Sequence, residues 1–405
     1  MKAADRRAIM DWIVEEALDN GDQRRLLDGV CTRLRRAGVP VARANLSQPT
    51  LHPVIEGYLF IWRGPGDVVQ DGWLRERDIP ADGGLNSVPF AYLSISGAPE
   101  LREELHRLTG PSRFPLLEEF RRGGATDYLA LQRRFGEGAG LGTADRLICS
   151  WLTRRPGGFT EAHLKDLRAI FPTLALAAQR DGARVAFETI VTTYLGDAAG
   201  QRVMTGAVGR GQGDSLRAAL WYCDLRGFTK ISDALPRAEL LSLLHAYFDT
   251  MVSAVQRHGG DVLKFTGDGF LAQFSDLGSD EDTCHAALDA ADAMRDGCEA
   301  LSARRAAEGS VQAGYGLGLH FGDVAFGNVG AQARLDFTVI GAAVNEVSRI
   351  EAMSRALDQE IVISSAFRDA LGPDGPDRLV SLGRYALRGV RRPQELFTLL
   401  RREHR

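Results

Sequence analysis

Two apolar runs joined by a four-residue turn constrain this chain more than any other feature. Val262-Leu-Lys-Phe265 and Phe270-Leu-Ala-Gln-Phe274 flank Thr266-Gly-Asp-Gly269. Glycine on both sides of Asp268 permits a tight turn, so the segment predicts a β-hairpin with an aspartate at its tip. A second apolar run, residues 218–223, ends at Asp224 and leads through Leu-Arg-Gly-Phe-Thr229 into a helical pattern. A strand end and a hairpin tip can bring two carboxylates together from distant sequence. Facing a phosphate-sized space, they form a candidate two-metal site. Taken singly, each aspartate reads more simply as a turn or cap residue. Both together, each at a strand end, favour metal binding.

The surrounding pattern predicts the fold. Residues 235–258 read as a long amphipathic helix and 281–308 as an alanine-rich one. Residues 311–321 and 335–340 read as strands, and 342–353 as a helix. The order is βαββαβ with additions, an α+β, ferredoxin-like split sandwich. Lys264 lies two residues after Val262 in its strand and is expected on the same face. Backbone N–H groups near Gly227, Phe228 and Thr229 precede a helix and can point at phosphate oxygens. Asn345 and Arg349 are four apart on the predicted helix and share a face.

A chain of 405 residues predicts two or three domains. Residues 1–180 mix helices (8–19 and 24–37) with strands at 58–62, 91–96, 127–131 and 147–152. Thr160 is the expected N-cap of a helix that Pro172 should kink or restart. Residues 181–204 again show helical spacing, and 206–213 are glycine-rich. Residues 181–213 therefore read as a helical and glycine-rich linker, and 214–405 as the second domain. A net charge of -4 provides no global attraction to nucleic acid or anionic membrane. No run is apolar for long enough to span a bilayer, and no apolar signal region opens the chain. Five scattered cysteines without a CxxC spacing read as reduced thiols in a cytoplasmic protein. His320, alone in an apolar strand, reads as structural.

At these residues the chain resembles a known family. Cys223-Asp-Leu-Arg-Gly-Phe-Thr229, Thr266-Gly-Asp-Gly-Phe270, Gly318-Leu-His-Phe-Gly-Asp-Val-Ala-Phe-Gly-Asn328 and Asp336-Phe-Thr-Val-Ile-Gly-Ala-Ala-Val-Asn-Glu-Val-Ser-Arg349 resemble motifs of the class III nucleotidyl cyclase catalytic domain. The resemblance implies that Asp224 and Asp268, with the Leu225 carbonyl, hold two Mg²⁺ or Mn²⁺ ions. It implies that Lys264 contacts the purine, Asn345 orients the ribose, and Arg349 stabilises charge developing on the α-phosphoryl group. Arg388 would stand where the family has a triphosphate-binding lysine. Thr338, seven residues before Asn345, would be the second purine contact. A lysine can donate to N1 of adenine and a threonine hydroxyl can accept from N6. This pair resembles the adenylate-type subgroup whose members are often stimulated by bicarbonate. Two positions depart from the family: Gly341-Ala342 replaces Gly-Asp, and an arginine that some members carry near Tyr315-Gly316 is absent.

The resemblance therefore implies an adenylate cyclase that converts ATP to cAMP and pyrophosphate at a homodimer interface. A guanylate cyclase, or a cyclase-like module that only dimerises or holds nucleotide, are the alternatives. The first half resembles a GAF-type α/β sensor domain, which would regulate the cyclase and could take a small-molecule ligand. Cys31, Cys149, His52 and His106 are the residues that could serve a tetrapyrrole there. Ordinary core or surface roles are the expectation for each.

Overall fold

The computed structural model describes residues 1–19, 21–74, 88–136, 145–211, 213–373 and 377–401. They divide into two compact units, Met1–Ile190 and Val191–Arg405.

The first unit opens with α1 (Ala3–Asp19) and α2 (Gln23–Arg36). Three strands follow: β1 (Arg43–Pro49), β2 (Ile55–Gly64) and β3 (Asp67–Leu74). Next come α3 (Pro89–Ser96), β4 (Glu100–Glu103), α4 (Pro115–Arg122), β5 (Asp127–Arg134) and β6 (Arg146–Thr153). The strands form one antiparallel sheet in the order β3-β2-β1-β6-β5-β4. Alternation along β5 and β6 explains its two covered faces. Leu129, Leu131, Leu147, Cys149 and Trp151 pack with α1 and α2. Tyr128, Ala130, Ile148 and Leu152 pack with Leu93 and Leu117 of α3 and α4. β5 and β6 are buried on both faces for most of their length, so they read as near-continuous apolar runs.

Two expectations change here. Residues 91–96 are helical, not a strand. Pro89 sits in the first turn with φ already helical, and Gly97 closes the helix at φ 69°. A short apolar run carries no period strong enough to decide this. Likewise Pro172 does not restart its helix: α5 runs unbroken over Glu161–Leu195. Thr160 caps it as expected, its Oγ1 accepting from the His163 N–H at 3.3 Å. Gly196 (φ 84°) ends it, and α6 (Asp197–Met204) follows.

The second unit continues with β7 (Gly213–Arg226), α7 (Phe228–Ala234), α8 (Arg237–Arg257), β8 (Asp261–Thr266), β9 (Gly269–Phe274) and α9 (Asp280–Ala307). Then come β10 (Gly314–Ala331), β11 (Arg334–Ile340), α10 (Ala342–Ala356), β12 (Ile361–Ser364), α11 (Ser365–Ala370), β13 (Leu379–Tyr385) and β14 (Gln394–Leu399). The central order β10-β7-β9-β8 is that of a ferredoxin-like βαββαβ sheet, extended by β12, β14 and β13, with β11 hairpinned onto β10. Odd positions of β7 (Ala219, Trp221, Cys223) pack on Leu243, Tyr247 and Met251 of α8. Even positions (Ala218, Leu220) pack with Val347 of α10, Phe337 of β11 and Ala199 of α6. Among the described residues, no helix is long and apolar enough to cross a membrane.

The glycines of β10 form the seat of α10. A Cβ at Gly318 would lie 2.6 Å from the Glu351 amide nitrogen and 2.7 Å from the Val347 carbonyl oxygen. Both are backbone atoms of one helix, so relief requires moving the helix. Gly318→Ala should therefore destabilise the second unit by about 1–3 kcal/mol, the usual range for overpacking. Gly389→Ala, where the added Cβ meets open space but φ is 82°, should cost about 1–2 kcal/mol of left-handed strain alone. Thermal melts followed by near-UV circular dichroism would measure both. A Gly318→Ala protein melting with the wild type would show that the helix seat is not tight.

Candidate active site

β7 and β9 are antiparallel neighbours with Asp224 directly opposite Gly269. The Leu225 N–H donates to the Asp268 carbonyl at 3.2 Å, which locks the hairpin tip to the strand end. Gly267 holds φ 75°, the left-handed value the turn requires. Gly269 supplies the space: a Cβ there would stand 2.9 Å from Asp224 Oδ1. The two aspartate side chains meet and share a hydrogen bond.

Charge makes this arrangement costly. Burial pushes the Asp224 carboxyl up to about 6, and the Asp268 charge and the shared hydrogen bond push in the same direction. Asp224 lies on the α10 side of the sheet, where Glu351 is held against Gly316. Burial, followed by the charge of Asp224, raises Glu351 to about 7. Sequence reading did not single out Glu351; on a helix of mixed polarity nothing marks it as the half-buried acid. A cation between Asp224 and Asp268 would relieve their repulsion, so this donor set fits Mg²⁺ or Mn²⁺ with further oxygens from phosphate and water. Among the described residues, no cluster of three His, Cys, Asp or Glu side chains is arranged for a metal.

Phe228 and Thr229 begin α7, whose first intrahelical bonds are donated by Lys230 and Ile231 to Gly227 at 3.0 and 3.2 Å. The amides of the first turn precede those bonds and have no intrahelical acceptor.

Lys264 is not on the face of Val262. The β8–β9 register shifts between them, a bulge at Leu263. Phe265 packs against Phe248 and Phe270 on the α8 side, which Val262 shares. Lys264 is thereby turned toward the other face, exposed, beside Thr338 of β11. Together they line a cavity of about 690 Å³, large enough for a nucleotide. Neither Asp224 nor Asp268, and neither Asn345 nor Arg349, lines it. Asn345 and Arg349 stand exposed on α10, and Arg388 is exposed between β13 and β14. One chain thus brings the predicted residues together in two pairs, aspartate with aspartate and lysine with threonine, without joining the pairs to each other.

His320 is buried, with Nδ1 2.8 Å from Ser364 Oγ and Nε2 3.7 Å from Glu346. Burial lowers its pKa, in keeping with a structural role. In the first unit Cys31 and Cys149 are packed in the core, burial pushing both thiols far up. His52 Nδ1 accepts from the Val54 and Ile55 amides, and His106 Nδ1 meets the Thr126 carbonyl. The four do not gather at a ligand site.

Residues 214–401 match the family model described as the adenylate and guanylate cyclase catalytic domain. Similar proteins include an adenylate cyclase of Anabaena cylindrica, 33% identical over 156 residues (38% of this chain, 31% of the relative). An adenylate cyclase 1 of Rhizobium meliloti is 31% identical over 149 residues (36% and 22%). Among solved structures, the adenylyl cyclase CyaB from P. aeruginosa is 27% identical, covering 47% of this chain and 97% of that one, with a TM-score of 0.43. The chain spans under a third of the length of these two curated relatives. Residues 214–401, a little under half of the chain, are thus similar to the catalytic domain of adenylate and guanylate cyclases.

Proposed function

We propose that this protein is an adenylate cyclase, converting ATP to 3′,5′-cyclic AMP and pyrophosphate in the cytoplasm. The observation that carries the proposal is the nucleotide-sized cavity lined by Lys264 and Thr338. Their donor and acceptor groups complement adenine N1 and N6. Two divalent cations held by Asp224, Asp268 and the Leu225 carbonyl would supply charge neutralisation on the triphosphate and ease ionisation of the ribose 3′-hydroxyl. The chain's own residues then do the positioning. Asn345 orients the ribose. Arg349 faces the charge growing on the α-phosphoryl group. The first-turn amides of Gly227, Phe228 and Thr229, with Arg388, hold the phosphates.

The separation of the two pairs within one chain supports a site completed by a second copy. In a twofold dimer the aspartates of one protomer face the purine, ribose and transition-state residues of its partner. Residues 1–180 would then act as a regulatory domain of GAF type, open to a small-molecule ligand. Bicarbonate would stimulate the enzyme, as in the lysine–threonine subgroup.

The primary test is cAMP formation by the purified chain with ATP and Mn²⁺, with GTP in a parallel assay. Faster cGMP formation from GTP would replace this reading with a guanylate cyclase. Nucleotide binding without turnover would leave a binding module. Arg349→Ala should lower kcat about 10²–10³-fold, the usual loss for one transition-state donor, and Asp224→Ala should abolish activity. Mixed in equal amounts, the two inactive variants should recover roughly a quarter of wild-type activity, because half the dimers are mixed and each carries one intact site. A mixture as inactive as its components would rule out the shared site.

The raised carboxylates also set a pH dependence. A folded-state pKa above the unfolded one stabilises at low pH, and that contribution is lost as pH rises through the folded value. For Asp224 this value is about 6 and for Glu351 about 7. The metal-free protein should therefore melt at a lower temperature at pH 8 than at pH 5.5. Mn²⁺ should restore the difference, and Asp224→Asn should flatten it. Below pH 6 the proton on Asp224 competes with the cation, so apparent Mn²⁺ affinity should fall as pH drops. Melting curves of Asp224→Asn that keep the full wild-type slope would count against this origin.

A further inference from the structure

The cavity beside Lys264 and Thr338 has another wall. It is formed by Thr192–Asp197, where α5 ends and α6 begins. These residues precede residue 214, where the cyclase family match starts. The wall lies directly on β8. A Cβ on Gly196 would meet the Val262 carbonyl oxygen at 2.9 Å and Asp261 Oδ1 at 3.0 Å. That close approach, with φ 84°, accounts for glycine at this position.

Asp261 fastens the contact. It opens β8, three residues before Lys264. Its Oδ1 accepts the Asp197 N–H at 3.2 Å, and the Ala198 N–H also reaches the carboxylate. These are the first amides of α6, which lack intrahelical acceptors. Gly196, the residue at the N-cap position, has no side chain to serve them. A carboxylate from the catalytic sheet therefore does what a capping residue would do locally. Burial raises Asp261 to about 6, and its Oδ2 is buried without a hydrogen-bond partner. Two residues after Asp197, Ala199 is fully buried in one cluster with Leu263 and Leu271.

We propose that Asp261 is a positioning residue for the nucleoside half of the substrate: by capping α6 it holds the Thr192–Asp197 turn against β8 and so completes the base pocket of Lys264 and Thr338. The substrate class is the purine nucleoside portion of a nucleoside triphosphate, and the proposal rests on the cyclase reading above. The docked turn shapes the space around the base. It does not touch the aspartate pair. Loss of the cap should weaken base binding and leave the chemical step alone.

The test uses the full chain and two probes, adenosine by calorimetry and ATP by steady-state kinetics. Asp261→Ala should weaken adenosine binding and raise the KM for ATP, each about fivefold, the equivalent of one net hydrogen bond. kcat should stay within about twofold. Asp261→Asn keeps an acceptor oxygen and should restore most of the binding. Asp197→Pro removes the donating N–H at the first helical position, where proline is tolerated, and leaves β8 untouched. Even if that variant folds poorly, Asp197→Pro, which removes one of the two donors, should weaken adenosine binding in the same direction by about two- to threefold, and Asp197→Ala should not. Unchanged adenosine affinity in Asp261→Ala and Asp197→Pro, or a fall in kcat at constant KM, overturns the proposal while the cyclase reading stands. A wild-type chain that binds neither adenosine nor ATP overturns both.

Discussion

The antiparallel pairing of β7 with β9 is the constraint on which the second unit depends. It places Asp224 opposite Gly269, beside the tip that carries Asp268. Two half-buried carboxylates in contact oppose folding at neutral pH. The surroundings have to compensate. Trp221, Phe270 and Phe274 are fully buried on the α8 side of these two strands, and β10 pairs with β7 along the whole length of β7. A chain that maintains this repulsion in such a packed setting holds a site shaped for a positive charge. Strain of this kind is stored where function uses it.

Much of this could be read from the residues. A strand ending in an acid and a hairpin with Gly-Asp-Gly at its tip are local signals, and pairing of the two strands follows from βαββαβ order. The helices 237–257 and 280–307 carry enough turns for their period to be read. Other features depend on contacts that no local window contains. The bulge at Leu263 moves Lys264 to the other face, and period-2 counting cannot see an inserted residue. Residues 91–96 are apolar throughout, so only the flanking Pro89 and Gly97 distinguish helix from strand. Pro172 is tolerated within α5 because Phe171, Leu174 and Ala175 are buried on either side of it, and tertiary packing outweighs the propensity loss. Glu351 and Asp261 look like ordinary surface acids in sequence. Burial makes them consequential, and burial is a property of the fold.

The glycine-rich stretch before β7 illustrates the same limit. By composition it is a flexible tether. In the structure the Asn328 side-chain amide donates to the Ala207 carbonyl at 2.7 Å and the Gly209 carbonyl at 3.3 Å. The Gly211 N–H in turn donates to the Asn328 carbonyl. Arg202 of α6 pairs with Asp214 and stacks over Phe326. The segment is therefore fastened to β10 by polar contacts of its backbone, which composition does not record.

These attachments bear on how the wall of the cavity is held. Residues 192–211 are held to the sheet at three places: Asp261 at the start of α6, Phe326 and Asp214 along it, and Asn328 after it. Each of those anchors lies on β7, β8 or β10, the strands that also carry Asp224 and Lys264 or support Thr338 through β11. A displacement of the segment cannot be absorbed by a loose tether. It has to be accommodated in the strands or in the wall of the cavity beside Lys264 and Thr338. Of the three attachments, the cap at Asp261 is the one closest in sequence to Lys264, the proposed purine contact, and it is made by the Asp197 and Ala198 amides on a half-buried carboxylate. A shift at the start of α6 therefore reaches the cavity wall beside Lys264 through a single side chain, without passing through the strands that hold Asp224 and Asp268.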